Sequence, residues 1–290
     1  MSAASFLDPA FVRELEALRR RLSLRVATGH VGDHLARRRG GSTEFAEHRG
    51  YAPGDDLRRV DWLAYARTGE PVVKLFRAEE DAILRVALDT SGSLTGAKLV
   101  YALRVAAALG YMALTESERV QVIPFADAVY SRTRPLRGRG ALPEFLRGVE
   151  ALRGGGGGTR IALAIDAAVT RARTGTLAVV SDFLDPEGFE EPLQRAHAAG
   201  HDVMLVQVLD REEVDPTLDG DLLLEDAETG ETVEITADPE TIDGYRARML
   251  ALFESLREFA RARRMTYVRA LTDEPIEAVL RRVVDRRVEA

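Results

Sequence analysis

From about residue 81 to residue 210, runs of strand length alternate in strict turn with helical segments, and the runs are almost wholly apolar. ILRVAL, RVQVIPF, TLAVVSD and DVMLVQVLD read as strands; LVYALRVAAALGYMAL, LPEFLRGVEAL, TRIALAIDAAVTRA and EEPLQRAHAAG read as helices. A one-sided sheet would show alternating polar positions, so strands apolar at nearly every position must be covered on both faces. Strand and helix in turn give parallel strands joined by crossovers. The expected fold class is therefore α/β, a doubly wound, mostly parallel sheet of six strands, with residues 83–88 in a central strand. The chain of 290 residues, 46% hydrophobic, can fill one large core or two modest ones.

The flanks read differently. Residues 1–80 open with a helix (DPAFVRELEALRRRL) and continue through a polar, glycine-punctuated stretch from Gly29 to Asp61. This region is expected to pack on the main domain, 81–290, through Phe45, Trp62, Val73, Leu75 and Phe76, with no core of its own. DLLLEDAETGETVEIT reads as an exposed hairpin inserted at about 211–238. A long helix from Ile242, a last strand (MTYVRAL) and a last helix (PIEAVLRRVV) complete the domain. Between Asp210 and Asp243 there are fourteen acids to one base; a solvated run accounts for that, and a docking surface for a basic partner is the sharper reading.

The first strand runs into Asp89-Thr90-Ser91-Gly92-Ser93, which sets Asp89, Ser91 and Ser93 at every second position and so on one side of an extended loop. Thr159 follows the glycine run Gly154–Gly158, and Asp182 ends the strand LAVVS. In a doubly wound sheet ligands sit beyond the carboxyl ends of the strands, where all three loops belong. Two carboxylates and three hydroxyls form a hard, all-oxygen set whose charge balances one divalent cation, Mg2+ before Mn2+ or Ca2+. The plainer reading is a serine-rich turn that caps the next helix.

D-x-S-x-S, a threonine on a second loop and an aspartate ending a third strand resemble the metal-ion-dependent adhesion site of von Willebrand factor A domains, matched by Asp89, Ser91, Ser93, Thr159 and Asp182. The resemblance implies a von Willebrand factor A-like, Rossmann-like domain. Phe183 departs from it, standing where many such domains have glycine. Glu44, Phe45, Arg49, Tyr51, Pro53, Gly54, Asp55, Asp56, Arg58, Val60, Asp61 and Trp62 resemble the signature block of the bacterial domain of unknown function 58 family. That resemblance spans nearly the whole chain and implies an adaptor that works with a MoxR-type AAA+ ATPase in protein maturation or remodelling. Many such relatives carry N-terminal membrane segments.

Within the block, Pro53-Gly54-Asp55-Asp56 is turn chemistry. Arg49, Arg58, Arg59 and Arg67 stand among Asp55, Asp56 and Asp61, so internal ion pairing is expected, and Trp62, the single tryptophan, reads as a buried anchor. The sharper reading makes Arg49, Tyr51, Asp55, Asp56, Arg58, Asp61 and Trp62 a second interaction surface near the metal edge.

The leading expectation is a non-enzymatic interaction module that binds a protein partner through a carboxylate on the metal. The alternative is a metal-dependent hydrolase or phosphoryl-transfer enzyme, which needs a base or nucleophile beside the metal. His30, His34, His48, His197 and His201 lack H-E-x-x-H spacing, although His34 and His48 could reach the metal edge. GGGGGTR lacks the Gly-Lys-Ser/Thr of a P-loop, and no G-x-S-x-G is present. The chain has no cysteine and a net charge of −7. Disulfides, thiolate sites and a nonspecific nucleic-acid surface are thereby disfavoured. With no apolar run of membrane-spanning length and no signal-peptide core, a cytoplasmic protein is expected. Lys74 and Lys98, the two lysines among 40 basic residues, are read as compositional bias without bearing on a site.

Overall fold

A computed structural model describes residues 9–22, 45–53, 55–76, 83–131, 133–154, 156–169 and 174–289. In chain order the elements begin with helix α1 (Pro9–Arg21), strand β1 (Phe45–Gly50), helix α2 (Trp62–Thr68) and strand β2 (Val72–Phe76). There follow β3 (Ile83–Asp89), α3 (Gly96–Thr115), β4 (Arg119–Phe125), β5 (Leu136–Arg137), α4 (Leu142–Glu150), α5 (Ile161–Ala168), β6 (Thr176–Ser181), α6 (Glu190–Ala198) and β7 (Asp202–Leu209). The chain ends with α7 (Arg211–Val214), β8 (Gly220–Glu225), β9 (Thr232–Ala237), α8 (Pro239–Ala262), β10 (Thr266–Leu271) and α9 (Ile276–Glu289). Contacts divide it into two compact units, Met1–His30 with Ala82–Ala290, and Val31–Asp81.

In the larger unit a six-stranded sheet runs in the order β10-β7-β6-β3-β4-β5. The first five strands are parallel; β5, a two-residue strand, closes the edge antiparallel to β4. β3 is central, and every one of its residues is buried, as its unbroken apolar run requires. Leu84, Val86 and Leu88 point to a core shared with α1, α3, α4 and α9, while Ala87 on the opposite pleat meets α5, α6 and α8. Helix α1 belongs to this core because Phe11, Leu15 and Leu18 form one apolar stripe and all three are buried. Helix α3 has the length and mean hydropathy (1.4) to cross a bilayer, but most of its surface is covered by the sheet and neighbouring helices. The expected hairpin forms from β8 and β9, paired from Gly220↔Ala237 to Glu225↔Thr232.

The smaller unit is an antiparallel β1–β2 ribbon with α2 between its strands. Asp61 caps α2 by accepting from the amides of Leu63 and Ala64, and Gly69 in the left-handed region ends the helix. Val60, Ala64 and Val73 are buried. Trp62 is not the buried anchor expected: it is 58% exposed. The seven-residue helix buries one face through Ala64 and leaves Trp62, Leu63 and Tyr65 outward. The side chains of Phe45, Leu75 and Phe76 lie outside the described residues, as do Glu44, Gly54, His30 and His34.

Candidate functional site

β3 and β6 lie side by side, but the chain reaches β4 on one flank of β3 before it returns to β6 on the other. The loop after β3 leads to α3 on one face, and the loop after β6 leads to α6 on the opposite face. A crevice must open where the two loops part, at the carboxyl ends of β3 and β6. Asp89 ends β3 and Asp182 follows β6, so both carboxylates stand there, and both are fully buried.

The loop after β3 is shaped by its own first residue. Asp89 Oδ1 accepts from the Ser91 amide at 2.9 Å, and Asp89 Oδ2 accepts from Ser181 Oγ at 2.6 Å. Thr90 turns away and donates to Phe125 O. Ser91 and Ser93 are left on one side and share a hydrogen bond, their hydroxyl oxygens 3.0 Å apart. No side chain caps α3, so this is not a serine turn serving the next helix. The glycine loop docks beside it through the Gly92 amide and Gly157 O at 2.9 Å, with Gly157 at φ 71°. Thr159, buried, follows. Behind Asp182, Gln207 donates to its carbonyl at 2.9 Å and accepts from Tyr267, which ties the loop to β7 and β10.

Three charged residues join the site that the sequence reading did not place there. Lys98, on the first turn of α3 and 2% exposed, donates to Asp182 Oδ2 at 2.9 Å and to Glu213 Oε1 at 2.7 Å. Burial alone would lower its pKa, but Asp182 and Glu213 outweigh that and raise it, so it stays an ammonium. The third is Glu228, from the β8–β9 hairpin, whose Oε1 accepts from Thr159 Oγ1 at 2.9 Å. The charge count must be corrected: Lys98 is shared between Asp182 and Glu213, and with Asp89 and Glu228 the set carries four carboxylates against one ammonium. Burial, and then repulsion from Asp182, lifts Asp89 to about 6 against the pull of its Ser181 and Ser91 hydrogen bonds. No motif announces Lys98 or Glu228; the signal lay in a lysine kept on a mostly apolar helix and in an acid at a turn.

Phe183 sits at φ 62°, the left-handed region where glycine is at ease. It keeps that conformation because its ring is buried and packs edge-on against Phe189 at 6.1 Å. Among the described residues no group of three or more His, Cys, Asp or Glu side chains is arranged to hold a metal, so a cation here would depend on the hydroxyls. His201 precedes β7, at the opposite end of the parallel strands from the crevice.

In the smaller unit, Arg49 grips Asp55 with both carboxylate oxygens at 2.8 Å, and His48 Nε2 lies 3.0 Å from Asp61 Oδ2. Asp56 accepts from the Arg58 amide, and Tyr51 is tied to Pro71 through its backbone. Arg58 and Trp62 are exposed, and Trp62 stacks edge-on against Tyr65. The expected internal ion pairing is present for Arg49 with Asp55.

The family described as "Protein of unknown function DUF58" matches residues 47–251. The chain belongs to the DUF58 family. Relatives of this DUF58 chain include uncharacterized proteins of Mycobacterium tuberculosis and Mycobacterium bovis, each 32% identical over 246 residues that span 82% of this chain and 77% of theirs. Among solved structures, the conserved hypothetical protein BatB of Bacteroides thetaiotaomicron is 15% identical, with 72% of this chain and all of that one covered and a TM-score of 0.43. An aerotolerance-related membrane protein of Bacteroides fragilis is 14% identical over 72% of this chain and 98% of that one, with a TM-score of 0.44.

Proposed function

We propose that this DUF58 protein is an interaction module whose larger unit is von Willebrand factor A-like and binds a divalent cation, Mg2+ first, at Asp89, Ser91, Ser93, Thr159 and Asp182. A protein partner completes the coordination with a carboxylate. The module serves as a cytoplasmic adaptor for a MoxR-type AAA+ ATPase in the maturation or remodelling of other proteins. The observation that carries the reading is the serine pair: two oxygens 3.0 Å apart have the separation of adjacent ligands around an octahedral ion held at about 2.1 Å, which is about 3.0 Å. Asp89 opens the loop that carries the serines, and Thr159 follows the glycine run whose Gly157 docks on that loop. Asp182 has one oxygen on Lys98 and the other on the Leu184 amide at 3.1 Å, so its part is charge and support. When bound, the cation supplies an electrophilic point for an oxygen anion; the chain's hydroxyls orient it, and the buried crevice limits competing water.

Calorimetric titration of Mg2+ and Mn2+ into the full chain tests this. Wild type should bind in the micromolar to millimolar range, and Asp89→Ala should bind roughly tenfold or more weakly, a loss of about 1.4 kcal/mol at the least. The variant loses the Ser181 and Ser91 hydrogen bonds, offset in part by relief of repulsion with Asp182, so circular dichroism must show it folded before titration. A protein recovered from lysate in Mg2+ and lost in chelator should also be lost with Asp89→Ala. Absence of any cation binding up to several millimolar would sink the reading.

A further inference from the structure

The tip of the β8–β9 hairpin is built as a rigid turn. Asp226 Oδ1 accepts from the amides of Glu228 and Thr229 at 2.8 Å each, and Gly230, at φ 72°, returns its amide to Asp226 O at 2.8 Å. A turn fixed in this way can aim one side chain, and here it aims Glu228. Thr159 Oγ1 donates to Glu228 Oε1 at 2.9 Å, and the Thr159 amide reaches Oε2 at 3.3 Å. The backbone comes down with the side chain: a Cβ on Gly92 would stand 2.3 Å from Ala227 O and 3.1 Å from Glu228 Cα. A Cβ on Gly158 would stand 3.3 Å from Glu228 Oε2. The D-x-S-G-S loop and the glycine run are therefore bare where the tip seats on them. The strands of the hairpin behave otherwise, with Leu223, Leu224 and Val233 exposed.

We infer that Glu228 is a built-in carboxylate ligand of this site, and that the β8–β9 hairpin is a strap holding it where a partner's carboxylate would bind. The inference rests on the proposed cation site and adds its regulation. Lys98 holds one Asp182 oxygen and the Leu184 amide the other, so Asp182 supports the site from behind, and Glu228 brings a carboxylate to Thr159 at its mouth. Because the ligand is tethered, it acts at an effective concentration in the millimolar range. A partner must displace it, so binding of the partner and release of the strap are one exchange.

The test uses the full chain, Mn2+ as the metal and acetate as the carboxylate probe. In wild type, Mn2+ should slow amide exchange at Ala227–Thr229, and tens of millimolar acetate should leave the water-proton relaxation of bound Mn2+ unchanged. In Glu228→Ala the bound Mn2+ gains a water, so relaxation should rise, and acetate should return it to the wild-type value. Glu228→Gln can still accept from Thr159 but has lost its charge, and it should behave like Glu228→Ala. If either variant matches wild type in relaxation and in its response to acetate, Glu228 is a structural prop and the inference fails. If wild type takes up no Mn2+, the proposed function and the ligand role fall together. Metal-free exchange then decides the strap: tip amides roughly tenfold faster in Thr159→Val and Glu228→Ala keep it, and unchanged rates remove it.

Discussion

The crevice at the ends of β3 and β6 and the block from His48 to Trp62 both hold several charged side chains, and they satisfy them over very different distances along the chain. In the crevice, Lys98 meets Asp182 across 84 residues and Glu213 across 115; Ser181 meets Asp89 across 92, and Thr159 meets Glu228 across 69. In the block, Arg49 meets Asp55 across six residues, Asp56 meets the Arg58 amide across two, and His48 meets Asp61 across 13. In the first set Lys98, Asp182, Asp89, Ser181 and Thr159 are buried and Glu213 and Glu228 are half-buried, whereas much of the second is exposed or half-exposed. Long-range polar contacts in a dry interior are costly to leave half-made, and local ones at a surface are cheap to lose. The crevice should therefore be the fragile region and the block the tolerant one.

The sharpest way to break that contrast is Lys98→Ala. It leaves Asp182 without its buried cationic partner and should cost about 3–5 kcal/mol in urea unfolding. The same change removes the positive charge shared by Asp182 and Glu213, so Mg2+ should bind more tightly and should recover part of the loss. A cost under about 1 kcal/mol, with no response to Mg2+, would show that the crevice is no more demanding than an exposed surface.

Phe183 extends the test to the core behind the crevice. Phe183→Ala removes a buried ring and should cost about 3–5 kcal/mol while leaving the positive φ in place. Phe183→Gly loses the same ring but relieves about 1–2 kcal/mol of left-handed strain, less the entropy of a freer unfolded chain. Glycine should therefore be the milder substitution by about 1 kcal/mol, the reverse of the usual order. Equal melting temperatures for the two variants would contradict the strain read from φ 62°.

The same contrast explains what could be read from the sequence. The sheet was legible because a strand buried on both faces is apolar throughout, and the hairpin because a Thr-Gly turn separates two apolar runs. Strand β5 was not, since two residues carry no period. Asp89, Ser91, Ser93, Thr159 and Asp182 were placed at loop ends because loop position follows from strand order. Lys98 and Glu228 escaped because their partners lie 84 and 69 residues away, and nothing local marks such a pairing. Trp62 erred in the other direction: composition favours a buried tryptophan, but a two-turn helix has room to bury one side only, and Ala64 occupies it.

His201 tests whether burial, apart from membership of the crevice, sets the cost. It is 2% exposed at the far end of the strands, and burial, then the charge of Arg85, lowers its pKa from 6.5. Below pH 6.5 the unfolded chain takes up the proton more readily than the folded one. The stability this residue confers is thus complete above pH 6.5 and is lost as the pH falls through that value toward the folded pKa. The slope it adds is at most about 1.4 kcal/mol per pH unit. His201→Leu should flatten urea stability between pH 7 and pH 5; an unchanged slope would assign the acid sensitivity to other groups.

The smallest effect is expected at Arg49. Its pairing with Asp55 has good geometry, two oxygens at 2.8 Å, but the side chains are 41% and 24% exposed, and Asp55 also holds the Ala52 amide at 2.8 Å. Removing the guanidinium leaves a carboxylate that water and that amide still satisfy. Arg49→Ala should cost about 0.2–1 kcal/mol at low salt, and less in 1 M salt, where the screening length falls to about 3 Å. Arg49 and Asp55 both lie in the smaller unit, so the fitting measurement is amide exchange across residues 45–76, at low and high salt, in wild type and variant. A salt-sensitive increase confined to the Tyr51–Asp55 turn agrees with a local, exposed contact. A loss of protection throughout 45–76 that salt does not alter would make Arg49–Asp55 as demanding as Lys98–Asp182, and the distinction between the two regions would no longer stand.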